Sequence, residues 1–240
     1  FIPIVAIPTT AGSGSEETHF AVVYHKGLKY SVCNDFIKPQ KVILIPDFAF
    51  KCPKNQKVYS ALDAFCQAIE SYWSIGANKR SRKFAHDALN LLVNNLYDGL
   101  IKNNFKSFNN IVKGSNLAGK AINISKTTGC HALSYFFTTK YNIPHGKAVA
   151  MMMPYVFQYH FLKIGDTEIM KNLIKILDFK STNFIDEFKS FFENLGVNVN
   201  FSANNIDIKK NIDDLIQNVN VERLKNNPVE ININKMFNYE

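Results

Sequence analysis

The apolar residues of this chain change their period once, near Pro53, and that change decides what it can fold into. Before it, FIPIVAIP at residues 1–8 is a nearly continuous apolar run, the pattern of a strand buried on both faces of a parallel sheet. The run ends in a small-residue loop, residues 9–15. Residues 18–24 and 29–32 flank His25-Lys26-Gly27-Leu28 and read as a hairpin, and residues 41–45 read as a further short strand. Beyond Pro53 the repeat is helical: Val58, Leu62, Phe65, Ile69 and Trp73 fall at steps of three or four. Residues 82–100, 107–122, 145–162, 168–177, 183–195, 208–219 and a C-terminal stretch continue as helices between Gly, Asn, Pro or Asp breakers. The fold class is therefore mainly α, with an incomplete α/β layer over residues 1–50 and a helical domain over 51–240. A few strands without helices on both faces suggest a chain that begins mid-fold.

Composition narrows the classes of partner. With 46% hydrophobic and 20% charged residues, 240 residues can bury a sizeable core. The formal charge of +8 comes from lysines scattered among asparagines, a solvated basic surface and not a nucleic-acid footprint. No stretch approaches the roughly 20 apolar residues of a membrane span, and no charged segment precedes the first apolar run, so a cytoplasmic protein with no membrane partner is expected. Cys33, Cys52, Cys66 and Cys130 show no CxxC spacing and fall in segments reading as strand, loop, helix and loop, which suits reduced thiols and excludes a zinc ribbon.

Three clusters can carry chemistry. On the helix over residues 56–73, Asp63, Gln67 and Glu70 stand at i, i+4 and i+7, a polar stripe that by itself is most often a solvated face. His131 lies in Thr127-Thr128-Gly129-Cys130-His131, and His145 follows fourteen residues later, where Pro-His-Gly opens a helix. A carboxylate with two imidazoles makes a site for Fe2+ or Zn2+ that leaves positions open for a substrate oxygen. His19, His25, His86 and His160 have no such company; His86 and His160 read as packing or surface residues. The loop over residues 8–16 is neither a Walker loop nor GxGxxG, and serves equally as a tight turn or as a ligand cradle.

Taken together, these segments resemble the iron-containing (group III) alcohol dehydrogenases. PTTAGSGSE at 8–16, SALDAFCQAIESYWS at 60–74, the 129–146 segment with both histidines, and NPVE at 227–230 match that family's motifs in order. The resemblance implies a dehydroquinate synthase-like fold with an α/β dinucleotide domain, a helical domain and a divalent metal in the cleft between them. Its metal ligands fall on Asp63, His131 and His145, and its cofactor segment on Thr9, Thr10, Ser13 and Thr18, with Lys29 as a further contact to NAD or NADP. Gln67 stands where the family usually has a histidine ligand, so either three ligands suffice or Gln67 supplies a weaker fourth. Tyr135 replaces a pocket histidine. The implied reaction is hydride transfer between a small alcohol or aldehyde and the nicotinamide, with Tyr135 and Lys147 at the substrate end. Lys126 and Lys147 would favour an anionic aldehyde such as a phosphonate or carboxylate. The family's upstream Gly-rich turn is absent from these residues, so the chain by itself is expected to lack a complete cofactor site. A dehydroquinate synthase-like lyase and a metal-free helical binding module are the alternatives, and a homodimer is the assembly considered.

Overall fold

Two helices buried on every side organise the chain. The computed structural model describes residues 2–25 and 28–239. Helix α2 (Lys54–Trp73) is buried continuously over residues 61–71, and α6 (His145–Ile164) over residues 148–160. A surface helix buries one stripe; a helix with no solvated face must lie inside the bundle. Around this pair pack α3 (Lys79–Leu100), α4 (Phe105–Ser125), α5 (Gly129–Tyr141), α7 (Glu168–Leu177) and α8 (Phe184–Asn194). Phe65 of α2 stacks on Phe191, and Phe157 of α6 meets Phe184 and Phe188, so α8 closes the core from the far side. The chain ends in α9 (Ile208–Gln217), α10 (Val221–Lys225), α11 (Ile233–Met236) and a short 3-10 turn.

The asparagines scattered through the sequence are largely punctuation. Asn78, Asn104, Asn183, Asn220 and Asn232 are N-caps whose side chains accept from backbone N–H groups of the first turn. Asn103, Asn142 and Asn205 take left-handed backbone conformations between elements, where a short polar side chain is tolerated.

The N-terminal layer is smaller than its apolar pattern suggests. Strand β1 (Val5–Ala6) pairs in parallel with β4 (Lys41–Val42), and β2 (Phe20–His25) forms an antiparallel hairpin with β3 (Leu28–Cys33) in the register Phe20↔Cys33. The turn residues Lys26 and Gly27, and Phe1, lie outside the described residues. Ile4, Val5 and Ile7 are exposed, not buried on both faces, because β4 is the only described strand beside them. The strand expected over 41–45 stops at Val42, and a short helix follows, α1 (Pro46–Phe50), with proline at its start and Asp47 in its first turn. Five residues are too few to show a helical period. Cys130, expected in a loop, lies in the first turn of α5.

His160 shows how dry the core is. Its ring is fully buried edge-on to Trp73, with centroids 4.4 Å apart, and Asn227 Nδ2 donates to its Nε2 at 2.7 Å. Nε2 is thus an acceptor, the proton sits on Nδ1, and burial holds the ring neutral with its pKa lowered to about 3. In the unfolded chain the ring titrates near 6.5. Above that pH neither state carries the proton; between about 6.5 and 3 only the unfolded state does, so folding stability falls as pH falls, by about 1.4 kcal/mol per pH unit. Urea unfolding of wild type and His160→Phe from pH 7 to pH 5 should therefore show wild type losing about 2 kcal/mol relative to the variant. Parallel pH profiles would mean that His160 is not buried neutral.

Candidate metal centre

Helices α2, α5 and α6 meet at a cluster of titratable side chains. Because residues 61–71 of α2 have no solvated face, the polar stripe Asp63, Gln67 and Glu70 is buried, with Glu70 fully so. Buried polar groups need partners, and each of these finds one on a neighbouring element. The α2 and α6 backbones touch where Gly146 follows His145: a Cβ at Gly146 would lie 1.9 Å from the Tyr59 carbonyl oxygen. That contact sets His145 beside Asp63, Nε2 to Oδ1 at 3.8 Å. His131, in the first turn of α5, approaches from the other side, its Nε2 3.1 Å from the same oxygen. One ligand atom each from Asp63, His131 and His145 lies within 4.8 Å of the others, close enough to share one cation.

Glu70 fixes this arrangement. Its Oε1 accepts from Thr128 N at 3.1 Å, Thr128 Oγ1 at 2.9 Å, Cys130 N at 2.8 Å and His131 N at 3.3 Å. The free N–H groups that open α5 are thus capped by a carboxylate from another helix, with the favourable sign for a helix N-terminus. Trp73 Nε1 donates to Thr128 Oγ1 at 2.9 Å and extends the network. Glu70 Oε2 meets His131 Nδ1 in a short hydrogen bond. With Nδ1 engaged there, Nε2 is the His131 atom that faces Asp63, and it is the one that could meet a cation.

The charges reinforce one another. Burial raises the carboxyl pKa of Glu70, but the charge of His131 and its hydrogen bonds outweigh this, and the net shift is downward. Asp63 behaves likewise, burial being outweighed by the His131 hydrogen bond and the two imidazoles. For His131, burial alone would lower the pKa; Glu70 and Asp63 override it and push it up to about 9. This is a pocket built for positive charge. Gln67 adds an oxygen: its Nε2 donates weakly to the Ser13 carbonyl at 3.5 Å, while its Oε1 is buried without a hydrogen-bond partner.

A cavity of about 460 Å³ opens over the cluster, lined by Asp63, Gln67, His131 and His145 together with Ser13, Thr18, Tyr135 and Arg223 among others. The Tyr135 ring lies parallel to that of His145, centroids 5.8 Å apart. Ser13 and Thr18 come from the N-terminal loop, which is clamped against the bundle by backbone contact. Gly14 adopts φ 62 and packs on Gly119 so closely that a Cβ would fall 2.4 Å from the Gly119 Cα. Asn116 of α4 donates to the carboxylates of both Glu16 and Glu17.

The Fe-containing alcohol dehydrogenase family C-terminal model matches residues 57–239, and the iron-containing alcohol dehydrogenase model matches residues 1–46. The chain belongs to the iron-containing alcohol dehydrogenase family. It is 29% identical over 192 residues to long-chain-alcohol dehydrogenase 1 of Geobacillus thermodenitrificans, covering 80% of this chain and 48% of that protein. It is 29% identical over 176 residues to phosphonoacetaldehyde reductase of Streptomyces viridochromogenes, covering 69% and 43%. Among solved structures, sulfoacetaldehyde reductase from Bifidobacterium kashiwanohense in complex with NAD+ superposes with a TM-score of 0.87 at 27% identity, covering 98% of this chain and 63% of that one. The chain thus spans about half or less of the curated relatives it matches.

Not every residue singled out in the sequence reaches the cavity of this family member. Asp63, Gln67, His131, His145, Tyr135, Ser13 and Thr18 line it, whereas Thr9, Thr10 and Lys147 do not. Thr9 is exposed, with its carbonyl accepting from Cys52 Sγ. Lys147 is two residues beyond His145, and residues so spaced do not share a helix face; its ammonium donates to Asn204 Oδ1 at 2.5 Å. Lys126 pairs with exposed Glu222 at 2.9 Å. The Lys29 side chain lies outside the described residues. Sequence reading passed over the roles of Glu70, Thr128 and Arg223. Glu70 was visible on the polar stripe, but nothing local showed that it would cap a helix 58 residues away.

Because Glu70 both caps α5 and orients His131, two substitutions separate its roles. Glu70→Gln keeps an acceptor for the cap but loses the charge facing Nδ1, and metal affinity in a chelator competition should fall about 10–100-fold. Glu70→Ala should also lower unfolding stability by about 3 kcal/mol or more, leaving buried donors unmet. Unchanged metal affinity in both variants would remove Glu70 from the centre.

Proposed function

We propose that this chain is the metal-holding part of an NAD(P)-linked alcohol dehydrogenase or aldehyde reductase, with Asp63, His131, His145 and Gln67 as the residues that hold a divalent ion. The observation that carries the reading is the unpartnered, buried Gln67 Oε1 beside a carboxylate and two imidazoles. An amide oxygen left without a donor is costly in a core, and a cation removes that cost. The donor set holds no thiolate: Cys66 and Cys130 are buried nearby and burial keeps both protonated. One carboxylate, one amide oxygen and two imidazoles favour Fe2+, with Zn2+ the second choice.

A divalent ion supplies Lewis-acid polarisation of a substrate oxygen, and a nicotinamide supplies or accepts the hydride. The chain's own residues position and shield. Glu70 fixes the His131 ring, Tyr135 covers the face of His145 and keeps water from one side of the cavity, and Ser13 and Thr18 form the wall offered to the cofactor. Thr9, Thr10 and Lys29 belong to the same proposed cofactor segment, but the contacts nearest the cluster fall to Ser13 and Thr18. A small alcohol or aldehyde is the substrate class that relatives such as long-chain-alcohol dehydrogenase and phosphonoacetaldehyde reductase support.

The test uses the full-length protein, purified anaerobically without chelator. It should contain about one iron or zinc per chain and reduce short aldehydes with NADH or NADPH, and Asp63→Ala should lose the metal and at least about 10³-fold in kcat/KM. Metal far below one per chain, unchanged by Asp63→Ala, would favour a metal-free binding module instead.

A further inference from the structure

The cavity over the metal cluster has one arginine in its wall, and that residue is unused by the chemistry above. Arg223 stands in the short helix α10, whose N-cap Asn220 accepts from the Arg223 backbone N–H. Its side chain reaches the cavity beside Thr127, His131, Ile122 and Phe20, and Nη1 donates to the hydroxyl of buried Thr127. Thr127 precedes the N-cap of α5 and so lies outside that helix, yet it and His131 line the same cavity. The guanidinium and the proposed metal ligands therefore share one cavity wall.

Its charge is only partly met locally: after Lys126, Arg223 adds a smaller pull that helps hold the Glu222 carboxyl pKa down. A guanidinium has five N–H donors, and among the described residues Arg223 forms no ion pair with a carboxylate. The adjacent Glu222 is turned to Lys126 at 2.9 Å in an exposed pair. Among the described residues no other lysine or arginine lines this cavity, and the one lining carboxylate is Asp63. Ile122, Phe20 and Ala21 add apolar wall to the same cavity, and an apolar wall strengthens a charge-assisted bond made beside it.

We propose that Arg223 is the specificity-determining residue of this site, binding the anionic end of a short aldehyde or hydroxy acid whose oxygenated carbon faces Asp63, His131 and His145. The inference rests on the dehydrogenase reading and moves anion recognition from Lys126 and Lys147, which are engaged elsewhere, to Arg223. Its planar fork suits carboxylate, sulfonate or phosphonate oxygens, two of which it can grip at once. A neutral aldehyde of equal length leaves that fork without a partner, and a site so built rejects the analogue that cannot bond to it.

The experiment compares kcat/KM of the full-length enzyme for four-carbon aldehydes with and without a terminal carboxylate, and for two-carbon aldehydes ending in sulfonate or phosphonate. Wild type should prefer an anionic substrate by about 10²-fold, and the preferred headgroup identifies the natural class. In Arg223→Leu the anionic-to-neutral ratio should collapse by about 10²-fold, and Arg223→Lys, which keeps the charge without the fork, should recover about tenfold of it. A wild-type ratio near one, or a ratio unchanged in Arg223→Leu because Arg223 merely ties α10 to Thr127, overturns the proposal. If no aldehyde is reduced, the dehydrogenase reading fails and calorimetry with succinate decides the anion site separately. Binding at least about tenfold weaker in Arg223→Leu supports it; equal affinities, or no binding by wild type, overturn it.

Discussion

A fully buried carboxylate at Glu70 ties together the parts of this structure that would otherwise be independent. Removing a carboxylate from water costs several kcal/mol even after relaxation, and only a complete set of donors offsets that cost. Glu70 has such a set: the backbone N–H groups of Thr128, Cys130 and His131, the Thr128 hydroxyl, and the imidazole of His131. Its position on α2 therefore determines where α5 can begin and which way His131 faces. The same residue that caps a helix also orients His131, the proposed metal ligand, so the helix start and the site geometry both hang on one side chain.

The remaining geometry comes from close backbone contact. Gly146 on Tyr59 brings α6 against α2, and Gly14 on Gly119 brings the N-terminal loop against α4. At each point a side chain would push two walls of the cavity apart. The cavity is thus the space left among α2, α6, α4 and the N-terminal loop, pressed together in pairs at glycines, with polar groups converging from the loop, α2, α5 and α6. Such convergence of a carboxylate, two imidazoles, an unpartnered amide oxygen and an arginine in one concave site is what distinguishes it from the rest of the bundle.

Much of this was legible in the sequence because the helical period after Pro53 is strong, and the long helices have asparagine caps and Gly or Asn breaks close to where those residues predict them. The spacing of Asp63, His131 and His145 and the loop at 8–16 were legible as family motifs. What was hidden depended on partners distant in sequence. α5 opens on Gly129 after Thr127 and Thr128, residues that do not favour a helix, and it starts there because Glu70 satisfies its free amides. The apolar run at 1–8 predicts burial, but burial depends on neighbours, and Val5 remains exposed with β4 the one described strand beside it. The polar stripe of α2 looks solvated in one dimension and is buried in three. Arg223 carries no local signature; only the fold brings it to the cavity.

We propose that Asp63, His131 and His145 hold one divalent ion, with Gln67 completing the set. Anomalous diffraction at the iron and zinc edges, from crystals of the full-length protein grown without chelator, tests it most directly. A single peak is expected about 2.0–2.2 Å from an Asp63 carboxylate oxygen and from Nε2 of His131 and His145, with Gln67 Oε1 turned toward it. A map with no peak there, or with the metal held by other residues while His131 Nε2 keeps its hydrogen bond to Asp63, would contradict the account.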